Sequence, residues 1–445
     1  MGCMDTFRTN LRVSRAALAL GLLATGLLVL WCRPCGLRAQ EADAKADPDT
    51  DTKADDLKRR LEQLRSVPYT SVTSEKVDPR VSGVTIYGPE LVYDGYNLYW
   101  CELCPDVMLM DMKGEVVHHW RIPDDADGKG HHVIMLPNGD VVALTKSTKS
   151  LVRFDWDSNP VWQKRLECHH DLVLSPDSTL YVIVDETYLY RDILVKFPAI
   201  VELTLDGEET GKWSARLHLD EIKQAFDKRS FLDTIMDSLL ARKPWAEVRE
   251  DIKSRVEASA QQDGSIVFDY FHMNTINVLP ETPIGEVDDR FRAGNLLLCF
   301  KHVNQIAVLD RDTKEILWVW GEGVLQWPHH PTMLESGNIL IFDNGIWRRS
   351  STILELNPVT EAVEWEYTGN PPESFYSYSR GSAQRLPNGN TLICEADLGR
   401  AFEITADGRI VWEWLNPLVH QDSRGQVYRM ERLSPEIVRP LLSGK

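Results

Sequence analysis

The sequence predicts an all-β protein: a six-bladed β-propeller with a helical insertion, behind an N-terminal signal or anchor segment. Two recurring units and the regular spacing of the second predict this. The first unit is a strand, a Pro/Asn/Gly or Ser/Gly turn, and a second strand: HHVIMLPNGDVVAL at 131–144, HHDLVLSPDSTLYVI at 169–183, HHPTMLESGNILIF at 329–342 and GSAQRLPNGNTLIC at 381–394. Gly and Asn supply the positive-φ positions that tight hairpins need. A diverged copy begins HMNTINVLPE at 272 and resumes as GNLLLCF at 294, its turn lengthened by an acidic insertion.

The second unit is a strand, an Asp/Gly-type turn and a strand closing on an aromatic residue. It closes at Trp120, Trp162, Trp213, Trp320, Tyr367 and Trp414, at intervals of 42, 51, 107, 47 and 47 residues. Six copies, each preceded by the first unit, describe six four-stranded sheets. The first blade has no clean hairpin, so its inner strands are expected from GVTIYGPELVYDGYNLYW at 83–100. The 107-residue interval holds an extra segment with helical apolar spacing, an insertion at about 219–262.

Composition agrees with one large all-β unit. A chain of 445 residues gives a soft prior of about three domains or one big one. With 43% hydrophobic and 26% charged residues it buries a sizeable core, which excludes global disorder. The net charge of −18 argues against nucleic acid as a partner, and 14 Trp suit a strand-rich chain.

Arg8, Arg12 and Arg15 precede an uncharged stretch at 16–31, the pattern of an export signal, so residues 1–39 are assigned to it. The stretch is short for a bilayer core of about 30 Å, which favours cleavage after Leu37-Arg38-Ala39 over a retained membrane anchor through 16–31. Acylation of Cys32 or Cys35 is weaker, given Trp31 and Pro34. The protein is thus expected outside the cytoplasm, in the periplasm or tethered at the membrane. Residues 40–80 form an acidic linker, 81–435 the propeller and 436–445 a tail. Cleavage leaves Cys101, Cys104, Cys168, Cys299 and Cys394, an odd number. Cys101 and Cys104 could close a small disulfide or be two buried hydrophobes; a redox CxxC is disfavoured because no βαβ pattern surrounds it. Nothing in the sequence sets an oligomeric state.

Eight of the 12 His form four pairs, and three pairs open the first hairpin of a blade: His131-His132, His169-His170 and His329-His330. His272 and Asn274 open the fourth blade in the same way. First strands line a propeller's channel, so these residues are expected to converge at one mouth of it. One such His would usually cap a strand or bridge blades, but recurrence at four equivalent places favours a shared pocket. His118-His119 lies on an outermost strand and reads as structural. A neutral imidazole is a good nucleophile near pH 7, and Lys, Asn and further His can hold the anionic oxygens of a transferred group. Sulfuryl or phosphoryl transfer has those needs; a His cluster also suits Zn or Cu.

The segments HHDLVLSPDSTLYVI, HMNTINVL, WPHHPTMLESGNILIFDNG and SRGSAQRLPNGNTLICEADLGRAFEITADGRIVWEW, with the ending VYRMERLSPEI, resemble the bacterial aryl-sulfate sulfotransferases, or arylsulfotransferases, over about 83–435. The resemblance implies a periplasmic six-bladed propeller that moves a sulfuryl group from an aryl sulfate donor to a phenolic acceptor by a ping-pong route through a sulfohistidine, with no nucleotide sulfate donor and no cofactor. It implies that His330 is the sulfurylated nucleophile, and that His170, His272 and Asn274 grip the sulfuryl oxygens and assist the leaving phenolate. Lys301 stands nearest to the family's Arg, a departure that keeps charge and loses bidentate geometry. Ser382 is a further pocket candidate, and His132 has no role assigned by the family. Rival readings are a non-catalytic binding platform, a His-ligated metal enzyme, and a quinoprotein dehydrogenase; the last usually has eight blades and adjacent cysteines.

Overall fold

The computed structural model describes residues 77–444 apart from 79, 103, 123–129, 146–147, 191–192, 227–265, 270 and 421. The residues expected to form an export segment, nearly all of the expected linker and most of the expected insertion lie outside the described residues. Among those described there are two short helices, and no helix is long and apolar enough to cross a membrane.

Six antiparallel four-stranded units make up the propeller, as the repeats predict. Blades 2 to 5 run consecutively and begin with the innermost strands Gly130–Met135, Cys168–Leu174, Met273–Val278 and His329–Met333; blade 6 begins with Ser382–Arg385. Second strands such as Val141–Thr145, Leu296–Phe300, Ile339–Asp343 and Thr391–Glu395 are buried throughout, because each is covered on both faces by neighbouring blades. Fourth strands such as Pro160–Arg165 and Val363–Thr368 alternate exposed and half-buried residues, as an outer edge requires. Apolar clusters fill the gaps between blades: Leu136, Leu172 and Leu203 meet between blades 2 and 3, and Phe342, Phe375 and Phe402 between blades 5 and 6. The predicted turn chemistry holds, with Gly139 at φ +89° in blade 2 and Ser178 taking the same left-handed position in blade 3 at φ 67°.

The first blade departs from expectation. Gly83–Tyr87 pairs with Ile410–Leu415 as a fifth, outer strand of blade 6. The innermost strand of blade 1 is the C-terminal Val427–Leu433, paired with Tyr96–Cys101. The reason is burial: Gly83–Tyr87 is half-buried to exposed, whereas Val427, Tyr428, Met430 and Leu433 bring apolar surface to the axis. The ring is therefore closed by strands from both ends of the propeller sequence. Beyond this strand Pro435–Leu442, which covers much of the expected tail, forms a helix whose Val438 is buried in the core around blade 1.

Of the insertion, the described part is a helix Leu219–Ala225 and a strand Ile266–Asp269, which adds in parallel to Ile193–Leu203 of blade 3. His118 is structural as read, its ring stacked 3.7 Å from that of Trp156. The five cysteines among the described residues are buried thiols.

Candidate active site

The innermost strands share a register that sorts their side chains into layers. In blades 2, 3, 5 and 6 the hairpin turn is closed by the N–H of Leu136, Ser175, Leu334 and Leu386. Counting back five residues from each gives His131, His170, His329 and Gly381; counting back four gives His132, Asp171, His330 and Ser382. The first set opens onto a cavity of about 150 Å³ lined by His131, His169, His170, His272, Lys301, His329 and Arg380, with Lys149, Asp185, Lys196 and Ser379 at its walls. The second set lies outside that lining, one residue further along the strand.

Blade 4 reaches the cavity by a bulge. Pairing slips between Met273 and Thr275, and His272 takes a left-handed φ of 50°, which brings its ring in where Asn274 would stand by register. In blade 6 Gly381 has no side chain, and Arg380, with φ 58°, serves in its place. His170, with φ 59°, makes a similar local twist.

The cavity imidazoles are held by named partners. His329 Nδ1 donates to Asn344 Oδ1 at 2.6 Å, with the Trp327 carbonyl at 3.1 Å, and its Nε2 accepts from the Arg380 backbone N–H at 3.3 Å. Asn344 is the Asn of FDNG, and its amide donates to the carbonyls of Ser377 and Arg380, both at 2.7 Å. It therefore fixes the His329 tautomer with the lone pair on Nε2. Burial, helped by Lys301, pushes the His329 pKa down to about 3.

On the other side, His272 Nδ1 donates to Asp269 Oδ2 at 2.5 Å, and its Nε2 is 2.8 Å from His170 Nε2. With the proton of His272 on Nδ1, His170 is the donor in that pair, and its Nδ1 faces Tyr428 Oη at 3.5 Å. Desolvation drives the pKa of both rings well below the usual imidazole value, and neighbouring His and Lys301 add to it. Lys301 is buried, and its ammonium lies 4.1 Å from the Trp327 ring centroid. Burial pushes its pKa down to about 8. Arg380 is neutralised by Glu102 at 2.8 Å and accepted by Gln426 at 2.5 Å. Two donor sets have metal-binding spacing: His169, His170 and His272, and Asp269, His272 and His302.

The family model for arylsulfotransferases (ASST) matches residues 132–417, more than half of the chain, and spans blades 2 to 6 with every imidazole of this cavity except His131. The chain belongs to the arylsulfotransferase family. No curated protein matches it. Similar solved structures include a protein of unknown function from Bacteroides caccae (13% identity, TM-score 0.47, covering 76% of this chain and 98% of that one). A streptogramin B lyase (12%, 0.43, 83% and 95%) and virginiamycin B lyase from Staphylococcus aureus (11%, 0.35, 65% and 70%) are also similar.

In this arylsulfotransferase-family chain the predicted residues separate. His170, His272 and Lys301 come together in the cavity. The Asn274 side-chain amide donates to the carbonyl of Pro328, two residues before His330, at 2.8 Å. His330 is in the second layer, with Nδ1 on the Ala383 carbonyl at 3.1 Å and its own N–H on Thr275 Oγ1 at 3.0 Å. Ser382 shares that layer; Ser379 reaches the cavity in blade 6. His132 joins Asp171 at 3.1 Å and Arg429 at 3.2 Å. Site residues missed by the sequence reading are Arg380, Asp269, His302 and Tyr428, and His329 was expected at the pocket only as the neighbour of His330. Counting from the turn groups His329 with His131 and His170 but does not say which group opens onto the cavity, and Tyr428 was hidden because VYRMERL was not recognised as a first strand.

Proposed function

We propose that this arylsulfotransferase-family protein transfers a sulfuryl group from an aryl sulfate to a phenol, and that His329 carries it. The observation supporting the assignment is the His329 ring, which lines the cavity with its Nδ1 proton fixed on Asn344 and its Nε2 lone pair unprotonated. His329 Nε2 gives up its long 3.3 Å contact with the Arg380 N–H and attacks sulfur, the aryl O–S bond breaks, and the phenolate leaves with the bonding pair. The Lys301 ammonium, a buried cation lining the same cavity, offsets the charge on the sulfuryl oxygens. The departing phenolate takes its proton from the Lys301 ammonium, whose pKa burial lowers to about 8, while His170 and His272, hydrogen-bonded to each other, orient the leaving oxygen. An acceptor phenol then gives that proton back, its oxygen attacks sulfur and the N–S bond breaks. The resemblance-based choice of His330 is the second reading, supported by its place in the WPHH motif. An exported protein would meet no intracellular nucleotide sulfate, which suits an aryl sulfate donor.

The test is nitrophenol release from 4-nitrophenyl sulfate by the chelator-treated protein, with and without phenol, beside His329→Ala and His330→Ala. The expected result is phenol-dependent release that His329→Ala abolishes. Donor alone should leave one SO₃ on a peptide containing residue 329 by mass spectrometry. Loss in His330→Ala alone, with SO₃ on that ring, returns the nucleophile to the second layer. Absence of release with a panel of phenols overturns sulfuryl transfer and favours the binding platform.

A further inference from the structure

We infer that His169, His170 and His272 form a binding site for a divalent transition-metal ion of the Zn²⁺ class, with one coordination position left open to the cavity. One ring nitrogen from each residue lies within 4.8 Å of the others. Three His with an open fourth position is a zinc donor set, and neutral imidazole is a suitable ligand for such ions.

The groups behind the ligands match the requirement that metal-bound His be oriented by an outer acceptor. Asp269 accepts from His272 Nδ1 at 2.5 Å, which leaves Nε2 as the metal-facing nitrogen. Asp185 lies 3.5 Å from His169 Nδ1 and also pairs with Lys196 at 3.0 Å. These two carboxylates offset the positive charge that Lys196 and Lys301 bring to the walls.

The proton now shared between His170 and His272 has somewhere to go. If His170 moves it to Nδ1, Tyr428 Oη at 3.5 Å accepts it, and the phenol donates to the Asn274 carbonyl, also at 3.5 Å. Both Nε2 lone pairs then face one point, and no proton leaves the protein. Tetrahedral zinc with Zn–N of about 2.0–2.1 Å spaces its nitrogens by about 3.3 Å, so the present 2.8 Å contact opens by about 0.5 Å.

Metal binding is read without substrate, so it stands or falls separately from sulfuryl transfer. Tag-free, chelator-stripped protein is titrated with Zn²⁺ alone by calorimetry, and with Co²⁺ alone by visible absorption. One equivalent should bind, Co²⁺ should give the intense bands of a four-coordinate site, and His169→Ala should weaken Zn²⁺ at least 100-fold. His169→Gln, closer to the original volume, replaces it if the alanine variant does not fold by circular dichroism. His302→Ala should leave the affinity within a few-fold. No saturable binding, affinity indifferent to residue 169, or loss on His302→Ala instead would each overturn the assignment.

Discussion

Asn344 illustrates how a single side chain sets the chemistry of the pocket. Its carbonyl takes the Nδ1 proton of His329, while its amide is locked on two backbone carbonyls. Asn344→Leu should therefore lower kcat by about 10²-fold or more with little change in KM, because the wrong tautomer presents no lone pair. Asn344→Asp should recover activity at neutral pH and add an acid limb, since the new carboxylate raises the His329 pKa and protonation removes the nucleophile as pH falls. The parent, with His329 held at about 3, should show no such limb between pH 4 and 7. Lys301→Met should cost about 10²–10³-fold in kcat/KM, and Lys301→Arg should recover part of it, which steady-state kinetics on 4-nitrophenyl sulfate would measure. At this scale the paired histidines were legible in the sequence. Which member of each pair faces the cavity was not, because bulges at Met273/Thr275 and His329/Thr332 shift the register locally.

Elements are joined by buried polar groups rather than by apolar contact alone. Asp171, the Asp of HHD, accepts from Arg429 of blade 1 at 3.1 Å and from the Ile276 N–H of blade 4 at 3.2 Å, and it meets His132 of blade 2 at 3.1 Å. Removing it takes away the carboxylate that Arg429 is hydrogen-bonded to in the second layer, so Asp171→Ala should destabilise by about 3–5 kcal/mol in denaturant unfolding. An unchanged midpoint would show that these blades hold together without it. The Gly of FDNG has an equally local cause: at Gly345, φ +65°, an added Cβ would lie 1.9 Å from the Ser350 carbonyl oxygen. Gly345→Ala should displace the neighbouring Asn344 and weaken both stability and kcat, the first visible in thermal unfolding. The strands and their turns were readable from period and turn residues. The pairing partner of Gly83–Tyr87 was not, since a short apolar run fits an inner or an outer place equally well.

For the whole molecule, closure depends on Val427–Leu433, the strand that completes blade 1 and brings Tyr428 and Arg429 to the axis. A chain ending at Gln426 should fail to give a cooperative thermal transition; a native-like transition would show that the ring closes without it. The buried imidazoles also couple folding to pH. His132, His329 and His330 have depressed folded-state pKa values, chiefly from desolvation. Their stabilising contribution is complete above the unfolded value of about 6.5 and is lost as pH falls through the folded values. The Tm should therefore hold from pH 7.5 to about 6.5 and drop from there to pH 5, and a flat profile would mean these rings find water or protons without unfolding. By itself the sequence determined the number of blades, the hairpins and the recurrence of histidine at blade starts, because period and turn chemistry are local properties. Tertiary structure alone decided that a C-terminal strand closes the ring, that His329 rather than His330 lines the cavity, and that Asp269, Asn344 and Tyr428 hold the imidazoles. Those outcomes depend on burial and on one-residue shifts between strands distant in sequence, which no local pattern encodes.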